Sequence, residues 1–103
     1  MPAKFIQTIG CKISPDKKSR YLKIMQEIRK LTSNSRYFSD FQVWCNDEDP
    51  AVYLERYEFK SKEAYDQLAK DKKELEKFIP WTTELGKIVS QKEIQQNGWK
   101  RVF

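Results

Sequence analysis

Between Lys4 and Ile13 the chain alternates, with Phe5, Gln7, Ile9, Cys11 and Ile13 on one face and Ile6, Thr8, Gly10 and Lys12 on the other. That is the period of a strand. Ser14-Pro15-Asp16 follows, a hydroxyl, a proline and a carboxylate in the order that opens a helix. Tyr21, Ile24, Met25, Ile28 and Leu31 then recur at spacings of three and four, so one stripe is buried and the lysine-rich remainder faces water. The helix ends at Thr32-Ser33-Asn34-Ser35.

Tyr37 to Cys45 reads as a second strand, with Phe41, Val43 and Cys45 on one face and Phe38 and Trp44 on the other. The polar turn Asn46 to Pro50 leads to a third strand, Val52 to Phe59, and so short a connection makes the pair an antiparallel hairpin. One face of that third strand presents Tyr53, Glu55, Tyr57 and Phe59. Glu55 is expected to pair with a lysine or arginine across the sheet rather than to act in chemistry.

Ser61 caps a second helix bearing Ala64, Tyr65 and Leu68, and the capping-box spacing of Asp71 and Glu74 predicts a break near Lys70. Pro80 and Gly86 bracket a short helical turn with Trp81 and Leu85, and Lys87 to Gln95 reads as a fourth, edge strand. Asn97-Gly98 is a turn dipeptide that leaves Trp99 to Phe103 as a tail with two large aromatics to dock.

The order β-α-β-β-α-β predicts an α+β, ferredoxin-like fold: a four-stranded antiparallel sheet with helices on one face. The other face would then carry Ile6, Ile88 and Ile94, with either Phe38 and Trp44 or Phe41 and Val43 depending on register. Exposing such a patch costs several kcal/mol at ~25 cal/mol per Å². A homodimer packed sheet on sheet is therefore expected.

At 103 residues the chain is one domain, expected to span 1–103. Its 39% hydrophobic and 34% charged content describes a globule rather than a disordered chain or a membrane span. The absence of histidine removes histidine triads, histidine-ligated haem and histidine zinc sites. Only Cys11 and Cys45 are cysteines, and they read as reduced, half-buried thiols. No phosphate loop, metal cluster or nucleophile with its base is present. The amino terminus carries no targeting pattern, which makes a cytoplasmic location the expectation.

Phe59-Lys60-Ser61-Lys62-Glu63-Ala64, with the acidic turn Asn46 to Pro50 before it, resembles a motif of the dimeric α+β barrel superfamily, and within it the antibiotic-biosynthesis monooxygenase-like domains. The motif encodes architecture: an aromatic packs, a serine caps, and an alanine lets the helix lie close to the strands. The resemblance implies a homodimer and a cofactor-independent, monooxygenase-like oxidoreductase acting on, or binding, a small aromatic or apolar molecule between sheet and helices. It also implies a third strand lying between the first and second. That sets the cysteine strands ~9–10 Å apart, beyond the reach of a disulfide.

Leu68 stands where relatives carry histidine or tryptophan, Lys77-Phe78-Ile79 lacks the haem-binding histidine, and Ile9 replaces an asparagine, all of which argue against haem degradation. Cofactor-free oxygenation asks for orientation and stabilisation of an anion. The residues proposed for that chemistry are Gln7, Tyr57 and Trp81, with Ile9, Phe41, Tyr65, Leu68 and Phe78 as ligand-binding walls; for each aromatic, core packing is the competing role. Two other classes stand beside this one. A non-catalytic dimeric module, binding a small ligand or serving assembly, is favoured by the missing polar cavity residues. An RNA-recognition-like binder shares the element order, but Val52 to Phe59 lacks its glycine-rich signature and the basic residues are scattered, so neither nucleic acid nor membrane is an expected partner.

Overall fold

The structure, a computed structural model, describes residues 4–89 and 94–102. β1 (Phe5–Lys12), β2 (Phe38–Cys45), β3 (Val52–Phe59) and β4 (Gln95–Lys100) form one antiparallel sheet in the order β2-β3-β1-β4. Helices α1 (Lys18–Ser33), α2 (Lys62–Leu68) and α3 (Lys72–Gly86) complete the ferredoxin-like α+β architecture. With β3 between β1 and β2, Cys11 and Cys45 are both free thiols. Cys11 is buried and Cys45 is exposed, so neither is half-buried as expected.

The helix-facing side of the sheet carries the odd residues of β1 and β3. There Tyr21, Ile24, Met25 and Ile28 of α1 meet Cys11, Phe41 and Tyr53 in one buried cluster. Thr32, not Leu31, ends the buried stripe of α1. A second cluster joins Tyr37, Phe38, Phe59, Ala64 and Leu68, and Tyr57 and Phe78 pack against both. Ser61 caps α2 by accepting from the Ala64 amide at 3.0 Å. Asp71 caps α3 in the same way from Glu74 at 3.2 Å, which produces the expected break.

Several sequence expectations give way to tertiary packing. Ser14 makes no side-chain cap; its carbonyl accepts from Lys17, and Pro15–Lys17 form a 3-10 turn that leads into α1. In β2 a bulge between Phe38 and Asp40 shifts the alternation, so Phe38 joins Phe41 on the helix side and stacks on Phe59 at 4.5 Å. α3 runs unbroken through Pro80 to Gly86, so the separate short turn expected between those two residues is the end of one helix. The proline forfeits one helical hydrogen bond, but Phe78, Trp81 and Leu85 keep one apolar stripe against the core across it.

The fourth strand is not Lys87 to Gln95 but Gln95–Lys100, and residues 90–93 of the expected strand lie outside the described residues. Ile88 and Val89 extend the stripe of α3 into the first core cluster, with their amides donating to Leu85 O. The polar Gln95–Lys100 segment is fully exposed and still pairs along β1, because an edge strand needs only its backbone to do so. Asn97-Gly98 is therefore strand, not turn, and Trp99 of the expected tail pairs with Ile6.

The open face consequently carries Ile6, Trp44, Leu54 and Trp99 rather than Ile88, Ile94 or Phe38. Trp99 lies across it, its Nε1 donating to Thr8 Oγ1 at 2.8 Å. On the opposite face of β4, a Cβ at Gly98 would lie 2.9 Å from Cζ of Phe5, whose ring is packed by Phe59 and Tyr65. Gly98→Val should therefore cost about 1–3 kcal/mol by overpacking, read as a lower urea midpoint at unchanged slope.

Candidate functional site

The alternation of β3 places Glu55 on the same face as three aromatic rings, and there it is 1% exposed. Burying a carboxylate without donors is prohibitive. Two are supplied: Tyr57 Oη donates to Oε1 at 2.8 Å and Tyr21 Oη, from α1, to Oε2 at 2.9 Å. The Cys11 thiol lies 3.8 Å from the same Oε2 and 3.7 Å from the Tyr21 hydroxyl. Among the described residues no lysine or arginine pairs with Glu55, so the expected cross-strand ion pair is replaced by a hydroxyl cluster.

Burial raises the Glu55 carboxyl above its ordinary range, and the tyrosine and thiol hydrogen bonds offset that only in part. Burial and then the neighbouring carboxylate push the Tyr57 hydroxyl well above its usual value, and the Tyr21 hydroxyl moves the same way for the same leading causes. The Cys11 thiol is pushed up to about 11, first by burial and then by Glu55. At neutral pH the thiol and both phenols are therefore protonated, and the phenols donate to Glu55.

Glu55 also lines a cavity of about 120 Å³ between sheet and helix. Ile9 and Cys11 share its floor; Thr82, Leu85 and Gly86 of α3 form the wall, and Val89 and Ile94 complete the lining. An apolar cavity of ~150 Å³ accommodates benzene, so this one, slightly smaller, holds one ring at most. Its lining is mostly apolar with one convergent polar group, the usual make-up of a small-molecule site.

Of the residues proposed from sequence, Ile9 lines this cavity and Tyr57 reaches it through its bond to Glu55. Trp81 is partly buried in the first core cluster, beside Thr82 and one turn before Leu85. Gln7 sits on the helix-facing side of β1, opposite Tyr57. Phe41 packs on Tyr57 at 4.8 Å, and Phe78 joins the two clusters. Tyr65 and Leu68 belong to the second cluster under α2 and do not line the cavity. Tyr21, Cys11, Thr82 and Val89 were not singled out as site residues, and Glu55 was assigned to a salt bridge. One signal did point to it: a lone charge on the otherwise aromatic face Tyr53, Tyr57, Phe59.

No family model and no curated protein matches the sequence. Solved structures match in shape. A conserved protein from Methanosarcina mazei Go1 superposes with a TM-score of 0.80 at 16% identity, over 96% of this chain and 93% of that one. An antibiotic biosynthesis monooxygenase matches with a TM-score of 0.76 at 13% identity, over 96% and 99%. SnoaB, a cofactor-independent oxygenase from Streptomyces nogalater, matches with a TM-score of 0.79 at 7% identity, over 98% and 95%. The chain thus has the α+β fold of the antibiotic biosynthesis monooxygenase structures, and at these identities the likeness establishes the fold alone. Among the described residues no helix is long and apolar enough to cross a membrane.

The raised carboxyl has a consequence for stability. Because the folded state holds the Glu55 proton more tightly than the unfolded chain, its contribution is complete below the ordinary carboxyl range and is lost as pH rises through the folded value. Chemical denaturation across pH should show wild type losing stability over that rise by an amount absent from Glu55→Gln, which has no proton to release.

Proposed function

We propose that this protein binds a small aromatic molecule in the cavity beside Glu55 and oxygenates it without a cofactor. The observation that carries the proposal is a buried carboxylate, held by two phenols, on the floor of a ring-sized apolar cavity. A second support is the shared fold with a cofactor-independent oxygenase. Glu55 accepts a proton from a ring hydroxyl of the substrate, and the resulting phenolate passes one electron to O₂. The radical pair joins to a hydroperoxide, which loses water to leave a carbonyl; one O₂ and two substrate hydrogens end as one carbonyl oxygen and one water.

Glu55 is the base in this scheme because a carboxyl with a raised proton affinity is better matched to proton abstraction near neutral pH. Tyr57 and Tyr21 orient it, and Tyr57 can return a proton to the oxygen anion. Trp81, next to Thr82, and Gln7, across from Tyr57, lie outside the cavity lining and are proposed to position the ring through those neighbours. Phe41, Phe78, Tyr65 and Leu68 support it from the surrounding core.

The same proposal includes a homodimer. Trp44 is 58%, Trp99 55% and Leu54 40% exposed on the open face of the sheet. A second copy covers these groups and removes an apolar patch from water.

Oxygen consumption with a single-ring quinol, without added flavin or metal, tests the activity. Glu55→Gln is expected to lower turnover by about 100-fold or more, the usual contribution of a general base, and Tyr57→Phe to lower it by less. Wild-type rates equal to buffer, or an unchanged Glu55→Gln, would defeat it. Light scattering at micromolar concentration should give twice the monomer mass, reduced to the monomer by Trp44→Glu with Leu54→Glu.

A further inference from the structure

A second concavity, of about 520 Å³, shares Val89 with the lining of the Glu55 cavity. Its apolar part is Ile13, Pro15, Ala51, Ile88 and Val89, and three lysines stand around it: Lys12 at the end of β1, Lys17 in the 3-10 turn and Lys87 just past α3. Among the described residues Lys12 and Lys17 have no carboxylate partner. Lys87 bonds Glu84 at 3.0 Å, but Arg20 takes the other oxygen of that carboxylate, so one anion is divided between two cations. Asp16 lies in the same 3-10 turn as Lys17 and does not line the concavity. Like charges gathered around an apolar hollow concentrate a positive potential there and favour an anion.

We propose that the ligand is a small aromatic carboxylate whose ring enters the cavity beside Glu55 and whose charge is met by Lys12, Lys17 and Lys87. The assignment rests on the Glu55 cavity being the ligand site, as proposed above. It also accounts for the division of labour: the acid group is kept at the lysines, away from the buried carboxylate, and the ring is carried toward it. Neutral rings of the same size lack the outer anchor and bind more weakly.

Titration of the full-length protein with 3-phenylpropionate and with its neutral counterpart 3-phenylpropan-1-ol, followed by amide chemical shifts, tests this. In low salt the acid should bind at least tenfold more tightly. Raising ionic strength should erode that preference, since exposed charges are screened. In the Lys12→Gln, Lys17→Gln, Lys87→Gln variant the two probes should bind equally; the amide spectrum itself reports that the variant is folded. Gly86→Leu provides the second arm, because Gly86 lines the cavity and a Cβ there meets no atom within 4 Å. Filling that space should weaken both probes. Equal binding of acid and alcohol to wild type, with both weakened by Gly86→Leu, overturns the anion seat and leaves the cavity as the ligand site. An acid preference that survives the triple variant overturns the seat as well. Binding of both probes unaltered by Gly86→Leu, or no binding at all, overturns the cavity and the anion seat together.

Discussion

A carboxylate on the central strand β3 that has no cation beside it imposes a demand that several elements must meet at once. Glu55 is satisfied only if α1 lies where Tyr21 can reach one oxygen and if β3 keeps its alternation so that Tyr57 can reach the other. A hydrogen bond to a charged group contributes ~1.5–3 kcal/mol, and a buried charge left unpaired costs more than that. The helix and the strand are thus tied by polar geometry as well as by the apolar cluster of Ile24, Met25 and Ile28 on Cys11, Phe41 and Tyr53. The demand that orders this region also leaves a carboxyl of raised proton affinity in a low-dielectric site.

The two core clusters explain why a cavity exists there. Under α2 the rings of Phe5, Phe38, Phe59 and Tyr65 stack at centroid distances from 4.5 to 6.2 Å and fill the space. Beyond Tyr57 and Phe78 the sheet presents smaller groups, Ile9 and Cys11, to the stretch of α3 that bears Thr82 and Gly86. Small residues on both walls leave room for a ring. The break at Asp71 starts α3 afresh after α2, and it is held by the Tyr37 hydroxyl at 2.5 Å and by Arg36 at 3.3 Å.

Much of this was legible in the order of residues. β1 and β3, the caps at Ser61 and Asp71, the helix break and the ferredoxin-like arrangement all follow from local alternation and capping chemistry. The failures share one cause. Pro80 inside α3, Phe38 turned inward by a bulge, and β4 built from Gln95–Lys100 instead of the more apolar segment before it are each decided by distant partners. Ile88 and Val89 are worth more in the core than in an edge strand. Gly98 is tolerated in β4 because the ring of Phe5 occupies the place of its missing side chain.

The functional reading divides in the same way. By itself the chain determined the element order, the absence of histidine chemistry, and an aromatic face on β3 interrupted by one acid, because these depend on spacing along the backbone. Only the tertiary structure decided that the acid meets tyrosines rather than a cation, that a ring-sized space opens beside it, and that lysines from β1, the 3-10 turn and the end of α3 ring a neighbouring hollow. Residues 11, 21, 55 and 85 converge through packing between elements, and no local pattern records which distant side chains will share one low-dielectric volume.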